Sequence, residues 1–242
     1  MTEVRGIKGK MIEGTTPGAT WVRDMFGRIA PRYDLLNHLL SMNIDKHWRA
    51  RTVRRVADVL ERPGAKVLDL CCGTGDLTLA LAAGKATVLG SDFCHPMLVA
   101  AQKKASASKL FEADALQIPV ADGSLDLVTM AFGFRNLASY RRGLEELRRV
   151  LKPGGMAAIL EFSTPPNRAL ASVYGFYSRA ILPKIGGMIS GSKEAYTYLP
   201  ESVRRFPNAP ELAEEMREAG FGDVRFERMT FGVVALHLGN RL

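Results

Sequence analysis

Residues 67–81, VLDLCCGTGDLTLAL, run an apolar strand into a glycine turn and on into a helix. A dinucleotide-binding turn aims bare backbone N–H groups and a helix N-terminus at a pyrophosphate, and uses a third glycine for close helix–strand packing. Here Gly73 and Gly75 occupy the first two glycine positions, but Thr78 takes the third. Asp76 places a negative charge where phosphates would sit. The turn therefore suits a nucleoside ligand that lacks phosphates and carries positive charge. S-adenosylmethionine, with its sulfonium and ammonium groups, fits. A plain helix-capping role for Asp76 is the competing reading, since Asp is favoured in a first helical turn. A single Gly-x-Gly does not decide between the two.

The segments that follow keep a βαβ rhythm and carry the decision. Residues 76–84 read as a helix ended by Gly84, and 87–92, TVLGSD, as a strand closing on Asp92, 17 residues beyond Gly75. An acid at the carboxyl end of a strand, beside the switch point of a parallel sheet, accepts hydrogen bonds from ribose hydroxyls. Helix 96–105 and strand 109–115, KLFEADA, repeat the unit and end on Asp114 and Ala115. That pair offers a carboxylate to an exocyclic amine and a backbone N–H to a ring nitrogen of adenine. Asp69, Gly73, Thr74 and Gly75 complete the expected cofactor-side set.

Strand 125–132 and helix 139–151 come next, the helix striped with Leu144, Leu147 and Leu151. Lys152–Gly155, KPGG, reads as a stop signal before strand 156–163. A mostly helical stretch leads to helix 209–219, and strands near 223–231 and 233–239 flank Gly232 as an antiparallel hairpin. The pattern predicts an α/β fold: a doubly wound, mostly parallel seven-stranded sheet with a C-terminal antiparallel hairpin and an N-terminal helical cap, the class I methyltransferase plan. Residues 1–20 read as a loose tail, and 21–242 as one domain. Within it lie a cap (21–65), a cofactor core (66–163), a substrate lid or insertion (164–208) and the terminal helix and hairpin (209–242).

Composition agrees with a single domain: 242 residues, 47% hydrophobic and 24% charged. No apolar run is long enough to span a bilayer and the N-terminus lacks a signal-peptide core, so a cytoplasmic location is expected. Cys71, Cys72 and Cys94 lack paired ligand spacing, which predicts free thiols and no metal. The net charge of +8 is uneven: residues 67–130 carry 4 Lys/Arg against 7 Asp/Glu, whereas 1–66 carry 13 against 7. An acidic cleft suits a cationic cofactor, and basic flanks suit nucleic acid or an anionic membrane surface.

The segments FGRIAPRYDLLNHLLSMNIDKHWR (26–49), FGFRN (132–136), LEFSTP (160–165), YTYLPESVRRFP (196–207) and FGVVALHLG (231–239) resemble, in order, the ubiquinone/menaquinone biosynthesis C-methyltransferase family. The resemblance runs from about residue 22 to the C-terminus. It implies methyl transfer from S-adenosylmethionine to a ring carbon of a polyprenylated quinol, most simply demethylmenaquinol. A bifunctional or ubiquinone-pathway benzoquinol enzyme is the alternative. It places cofactor contacts on Thr74, Asp92 and Asp114–Ala115. Some members have a serine where this chain has Ala131, which weakens that one contact and leans toward the menaquinone-only type.

Deprotonating a quinol hydroxyl puts negative charge on the adjacent ring carbon, so the enzyme must stabilise a phenolate and hold the carbon in line. Arg135, just past a strand's carboxyl end, is the expected phenolate partner, with Asn136 on the second oxygen and Tyr33 near the substrate. A structural ion pair for Arg135 and a core role for Tyr33 are the alternatives. His38 and His47 read as cap residues able to shuttle a proton, and His237 as structural. Segment 168–190 is the expected prenyl contact, an amphipathic lid at the membrane surface, with a packed helix or a homodimer interface as competing uses. An RNA methyltransferase would explain the basic flanks, but no RNA-binding appendage or RNP-like strand is present, so no nucleic-acid partner is expected. A non-catalytic cofactor-binding protein would need neither FGFRN nor the C-terminal motif.

Overall fold

The computed structural model describes residues 17–105, 108–177, 180 and 193–242. Seven strands form one sheet: β1 (Lys66–Leu70), β2 (Thr87–Asp92), β3 (Lys109–Glu112), β4 (Leu125–Ala131), β5 (Leu151–Phe162), β6 (Phe221–Met229) and β7 (Val234–Arg241), in the order β3-β2-β1-β4-β5-β7-β6. The first five strands are parallel, and β7 runs antiparallel between β5 and β6. The expected doubly wound sheet is present, and the terminal hairpin enters it with its second strand inward.

Both faces of the central strands are covered, which is why they read as continuous apolar runs. On β1, Val67 faces one core while Leu68 and Leu70 face the other. Ala158 and Leu160 of β5 join Val67, whereas Ala157 and Ile159 join Leu68. Among the described residues, ten helices surround the sheet. Four make the cap: α1 (Pro17–Ile29), α2 (Tyr33–Leu40), α3 (Ile44–Arg55) and α4 (Ala57–Leu60). The others are α5 (Asp76–Leu81), α6 (His95–Lys104), α7 (Tyr140–Val150), α8 (Arg168–Phe176), α9 (Lys193–Arg205) and α10 (Ala209–Glu218).

Several boundaries differ from expectation, each for a local reason. The first helix begins at Pro17, inside the expected tail, because Trp21, Val22, Met25 and Ile29 bury one face of it. β3 stops at Glu112, so Asp114 and Ala115 lie beyond its carboxyl end. KPGG does not separate α7 from β5. It forms a bulge inside the strand: Leu125 pairs with Leu151, then Leu127 pairs with Met156. The hairpin strands begin and end near the expected bounds, joined by a 3-10 turn at Thr230–Gly232. The lid segment is described only as α8 up to Tyr177 and Ala180, and the rest of the expected 168–190 contact lies outside the described residues.

β1 leads rightward to β4 and leftward to β2, so the switch point falls at its carboxyl end, in the 71–76 turn. Gly75 has φ of +83° there, and a Cβ would stand 3.1 Å from the Cβ of Ala101 on α6. Gly75→Ala is expected to cost about 1–3 kcal/mol, read as a fall in thermal midpoint, with weakened cofactor binding. An unchanged midpoint would show that the turn tolerates a side chain.

Candidate active site

Two adjoining chambers open at the carboxyl ends of β1, β2 and β4, and share Phe26, Tyr33, Cys71, Gly73, Ala131 and Phe132 as their common wall. Cys71 and Phe132, the residues just past β1 and β4, adopt left-handed backbones with φ of 55° and 59°. Such conformations cost about 1–3 kcal/mol each and concentrate at functional sites. No sequence signal marks them, because neither is a glycine.

The first chamber is lined by Asp92, Asp114 and Ala115 together with Met97, Asn136 and Leu137. Asp92 is 7% exposed, and its carboxylate accepts from the backbone N–H groups of Gly73 and Cys94, both at 2.9 Å. Burial pushes its pKa up to about 6, against the pull of those N–H donors. Each oxygen keeps a further lone pair for another donor. Asp114 Oδ1 accepts from Leu116 N at 2.8 Å, a tight turn that aims the 114–116 backbone at the chamber. The described lining holds acids able to accept from a diol and no Lys or Arg to bind a phosphate, a donor and acceptor set suited to a nucleoside.

The second chamber, about 1360 Å³ and partly open to solvent, carries eight aromatic side chains in its described wall. Its described lining contains two cations, Arg49 and Arg135. Asp69, expected on the cofactor side, also lines it. However, its carboxylate accepts from Thr78 Oγ1 at 2.6 Å and Thr129 Oγ1 at 2.9 Å, which ties α5 to β4. Burial raises its pKa to about 6 as well.

Thr74, Gly75 and Asp76 lie in the turn beneath the cap. The Thr74 hydroxyl donates to Asp34 of α2, and Lys104 of α6 bridges Asp34, Thr74 (3.3 Å) and Asp76 (2.7 Å). Arg49 of α3 pairs with Asp45 and with Asp76 at 3.1 Å, and His38 pairs with Asp45 at 2.8 Å. The acid in the turn is therefore neither a bare charge awaiting a ligand nor only a cap. It anchors the helical cap to the glycine turn, and His38 belongs to the same network.

Arg135 sits in a 3-10 turn (Phe134–Asn136) directly after β4 and is 7% exposed. Glu161, at the carboxyl end of β5, is 1% exposed and accepts from Arg135 Nη1 at 2.8 Å and Arg135 N at 3.2 Å. Nη1 also donates to the Phe132 carbonyl, and the guanidinium lies 5.2 Å from the Phe162 ring centroid. Its buried Nε has no partner among the described residues. Burial pushes Glu161 up, while Glu161 overcomes the effect of burial on Arg135 and keeps the guanidinium charged.

Asn136 has a partner on α9. Its side-chain oxygen accepts from the Tyr198 hydroxyl at 3.0 Å, and it lines the first chamber whereas Tyr198 lines the second. It joins α9 to the nucleoside side. Tyr33 lines both chambers. Burial raises its pKa and pushes Tyr174 and Tyr198 up to about 12. All three phenols stay neutral, and that of Tyr198 donates to Asn136. Burial likewise raises the thiols, Cys94 to about 11, so they too are neutral. His237 bonds the Ala209 carbonyl at 2.8 Å, and burial lowers its pKa to about 4, a structural role.

The sheet order and the switch-point turn, with a buried acid closing β2, define a class I S-adenosylmethionine-dependent methyltransferase. Solved structures share the plan: a SAM-dependent methyltransferase from Thermotoga maritima superposes with a TM-score of 0.65 at 19% identity, covering 90% of this chain and 99% of that one. The cyclase SpnF gives a TM-score of 0.67 at 14% identity, over 95% and 98%. The chain belongs to the ubiE/COQ5 methyltransferase family, whose profile matches residues 14–241. A demethylmenaquinone methyltransferase from Thermus thermophilus is 52% identical over 223 residues, 90% of this chain and 100% of the relative. A ubiquinone/menaquinone biosynthesis C-methyltransferase from Syntrophotalea carbinolica is 45% identical over 90% and 93%.

Proposed function

We propose that this enzyme methylates a ring carbon of a polyprenylated quinol, demethylmenaquinol, to give menaquinol. One observation carries the reading. A buried guanidinium with an orphaned Nε–H stands in the wall of an aromatic chamber that adjoins the nucleoside chamber. A buried donor left unmatched calls for a partner. A phenolate oxygen supplies it, and aromatic walls take the ring.

S-adenosylmethionine bound across the first chamber would supply the methyl group: the quinolate ring carbon takes it as the S–CH3 bond breaks and S-adenosylhomocysteine leaves, and the ring carbon's own hydrogen then departs as a proton while the ring oxygen regains one. Asp92 takes the ribose hydroxyls, Asp114 and Ala115 the adenine, and the Gly73–Gly75 turn the region beside them. Arg49 is the cation available for the cofactor's carboxylate, at the turn end of the second chamber. Arg135, in the same chamber's wall, holds the phenolate oxygen. Arginine, charged at any working pH, does not accept the quinol proton. The neutral tyrosines and thiols do not either, and Arg135 stabilises the anion left behind when the proton departs.

The elements that wall the second chamber also turn apolar side chains outward. Val173 (68% exposed) and Phe176 (64%) of α8 adjoin the lining Tyr174 and Tyr177, Leu35 lies on α2 and Met42 just beyond it. Phe231 (79%) precedes the lining Val233. These residues support a transient contact with a membrane surface through which a prenyl tail stays in the bilayer as its ring enters. Among the described residues no helix is long and apolar enough to cross a membrane.

Methyl-labelled S-adenosylmethionine tests the reading. Label is expected in the lipid product from reduced demethylmenaquinone in anionic vesicles, and none from the oxidised quinone or from RNA. A V173D/F176D variant is expected to lose vesicle sedimentation but to keep turnover on a short-tailed soluble quinol. Absence of labelled quinol would overturn the proposal, and transfer to the benzoquinol as well would show the bifunctional type.

A further inference from the structure

Glu161 is an acid in an otherwise apolar strand segment, AAILEF, and its neighbours in the sheet are apolar: it stands opposite Ala235 of β7. Burying a carboxylate costs several kcal/mol unless it is paired, and an apolar side chain packs such a position as well or better. Packing does not explain this residue. Its hydrogen-bond partners do: two of the three are the backbone and side chain of Arg135, and the third is its own neighbour Phe162 N at 2.8 Å. Glu161 does not line either chamber, whereas Arg135 lines the aromatic one. Whatever it does for catalysis passes through Arg135.

We propose that Glu161 is a positioning residue for methyl transfer, gripping Arg135 at two points so that the guanidinium meets the quinol oxygen at a fixed place and with a partly neutralised charge. This rests on the quinol reading above. The charge balance of the pocket makes the second half testable. The groups around the pair are Tyr33 from α2, Tyr140 from α7, Tyr174 from α8, Tyr198 from α9 and Cys71 after β1. All are raised by burial and therefore neutral at working pH. The pair is thus one plus and one minus before the quinol ionises. With the carboxylate gone, the guanidinium acts uncompensated and favours quinolate more strongly. The grip also uses both carboxylate oxygens, so shortening the side chain moves the guanidinium as well.

The test is kcat against pH for demethylmenaquinol at saturating S-adenosylmethionine, where the limbs report groups of the enzyme–substrate complex. Glu161→Gln keeps the shape and an acceptor for Nη1 but removes the charge. Its acid limb is expected about one pH unit below that of the unchanged enzyme, with the KM for S-adenosylmethionine unaltered. Glu161→Asp keeps the charge and withdraws the grip. Its kcat is expected to fall by at least about tenfold, with the acid limb where it was. A Gln profile that superimposes on the unchanged enzyme's, or an Asp variant with full kcat, would overturn the proposal and leave Glu161 as part of the fold only. Should the Gln protein not fold, the Asp arm decides alone. Failure of the unchanged enzyme to methylate any quinol would instead overturn the functional reading, which the same assay reports first.

Discussion

Arg135→Lys is expected to lower kcat about 10²–10³-fold while the Kd for S-adenosylmethionine stays within about twofold. Lysine keeps the positive charge that Glu161 needs, so the variant avoids the roughly 3–5 kcal/mol penalty of leaving a buried carboxylate unpaired, which would confound Arg135→Ala. What it loses is the fork. In Arg135 one nitrogen serves Glu161 and the Phe132 carbonyl while Nε is left over for a ligand. An ammonium is a compact point charge on a flexible stem, and the same nitrogen would have to satisfy Glu161 and the phenolate together. Arg135 does not line the nucleoside chamber, so the nucleoside contacts are untouched. Single-turnover methylation and calorimetric cofactor titration separate the two effects. Turnover within threefold of the unchanged enzyme would mean that charge alone suffices, and the fork would lose its assigned role.

The cap network shows which parts of this site a sequence can and cannot disclose. Asp92 and Asp114–Ala115 are legible because the alternation of strands and helices places every parallel strand's carboxyl end on one side of the sheet, and their placement needs no long-range contact. Asp76 reads as a bare charge because its partners are remote: Lys104 lies 28 residues away on α6, and Arg49 sits on a cap helix that precedes the whole sheet. The same holds for Glu161, 26 residues from Arg135, and for Tyr198, 62 residues from Asn136. Each pair joins elements that only the sheet order makes neighbours. Glu161 does leave a trace, as an acid in an apolar strand, but nothing in the strand names its partner. The left-handed backbones of Cys71 and Phe132 leave none, since neither position holds a glycine. The bond from Tyr198 of α9 to Asn136 is likewise a contact that local pattern does not carry.

Cofactor affinity is expected to fall about tenfold per pH unit below pH 6, and Asp92→Asn to weaken it about 10²-fold at pH 7.5 while flattening that dependence. Ribose hydroxyls donate, so they favour the ionised carboxylate, and two charge-assisted hydrogen bonds at about 1.5–3 kcal/mol each account for the hundredfold loss. The amide adds a fault of its own: one side of it is a donor set against the N–H of Gly73 or Cys94. In the ligand-free protein burial has already raised Asp92 to about 6, so below that pH binding must first expel a proton. The sign for folding is the reverse. An acid whose folded pKa lies above its ordinary value contributes stability at low pH, and loses it as pH rises from about 4 toward 6. Affinity and this share of stability therefore change in opposite directions across the same window. Asp69 also titrates near 6, but its oxygens face Thr78 and Thr129. Calorimetry across about pH 5–8 on the unchanged enzyme and the Asp92→Asn variant distinguishes them. A slope that persists in the variant would move the proton to Asp69, and a flat profile in the unchanged enzyme would remove the diol contact from Asp92.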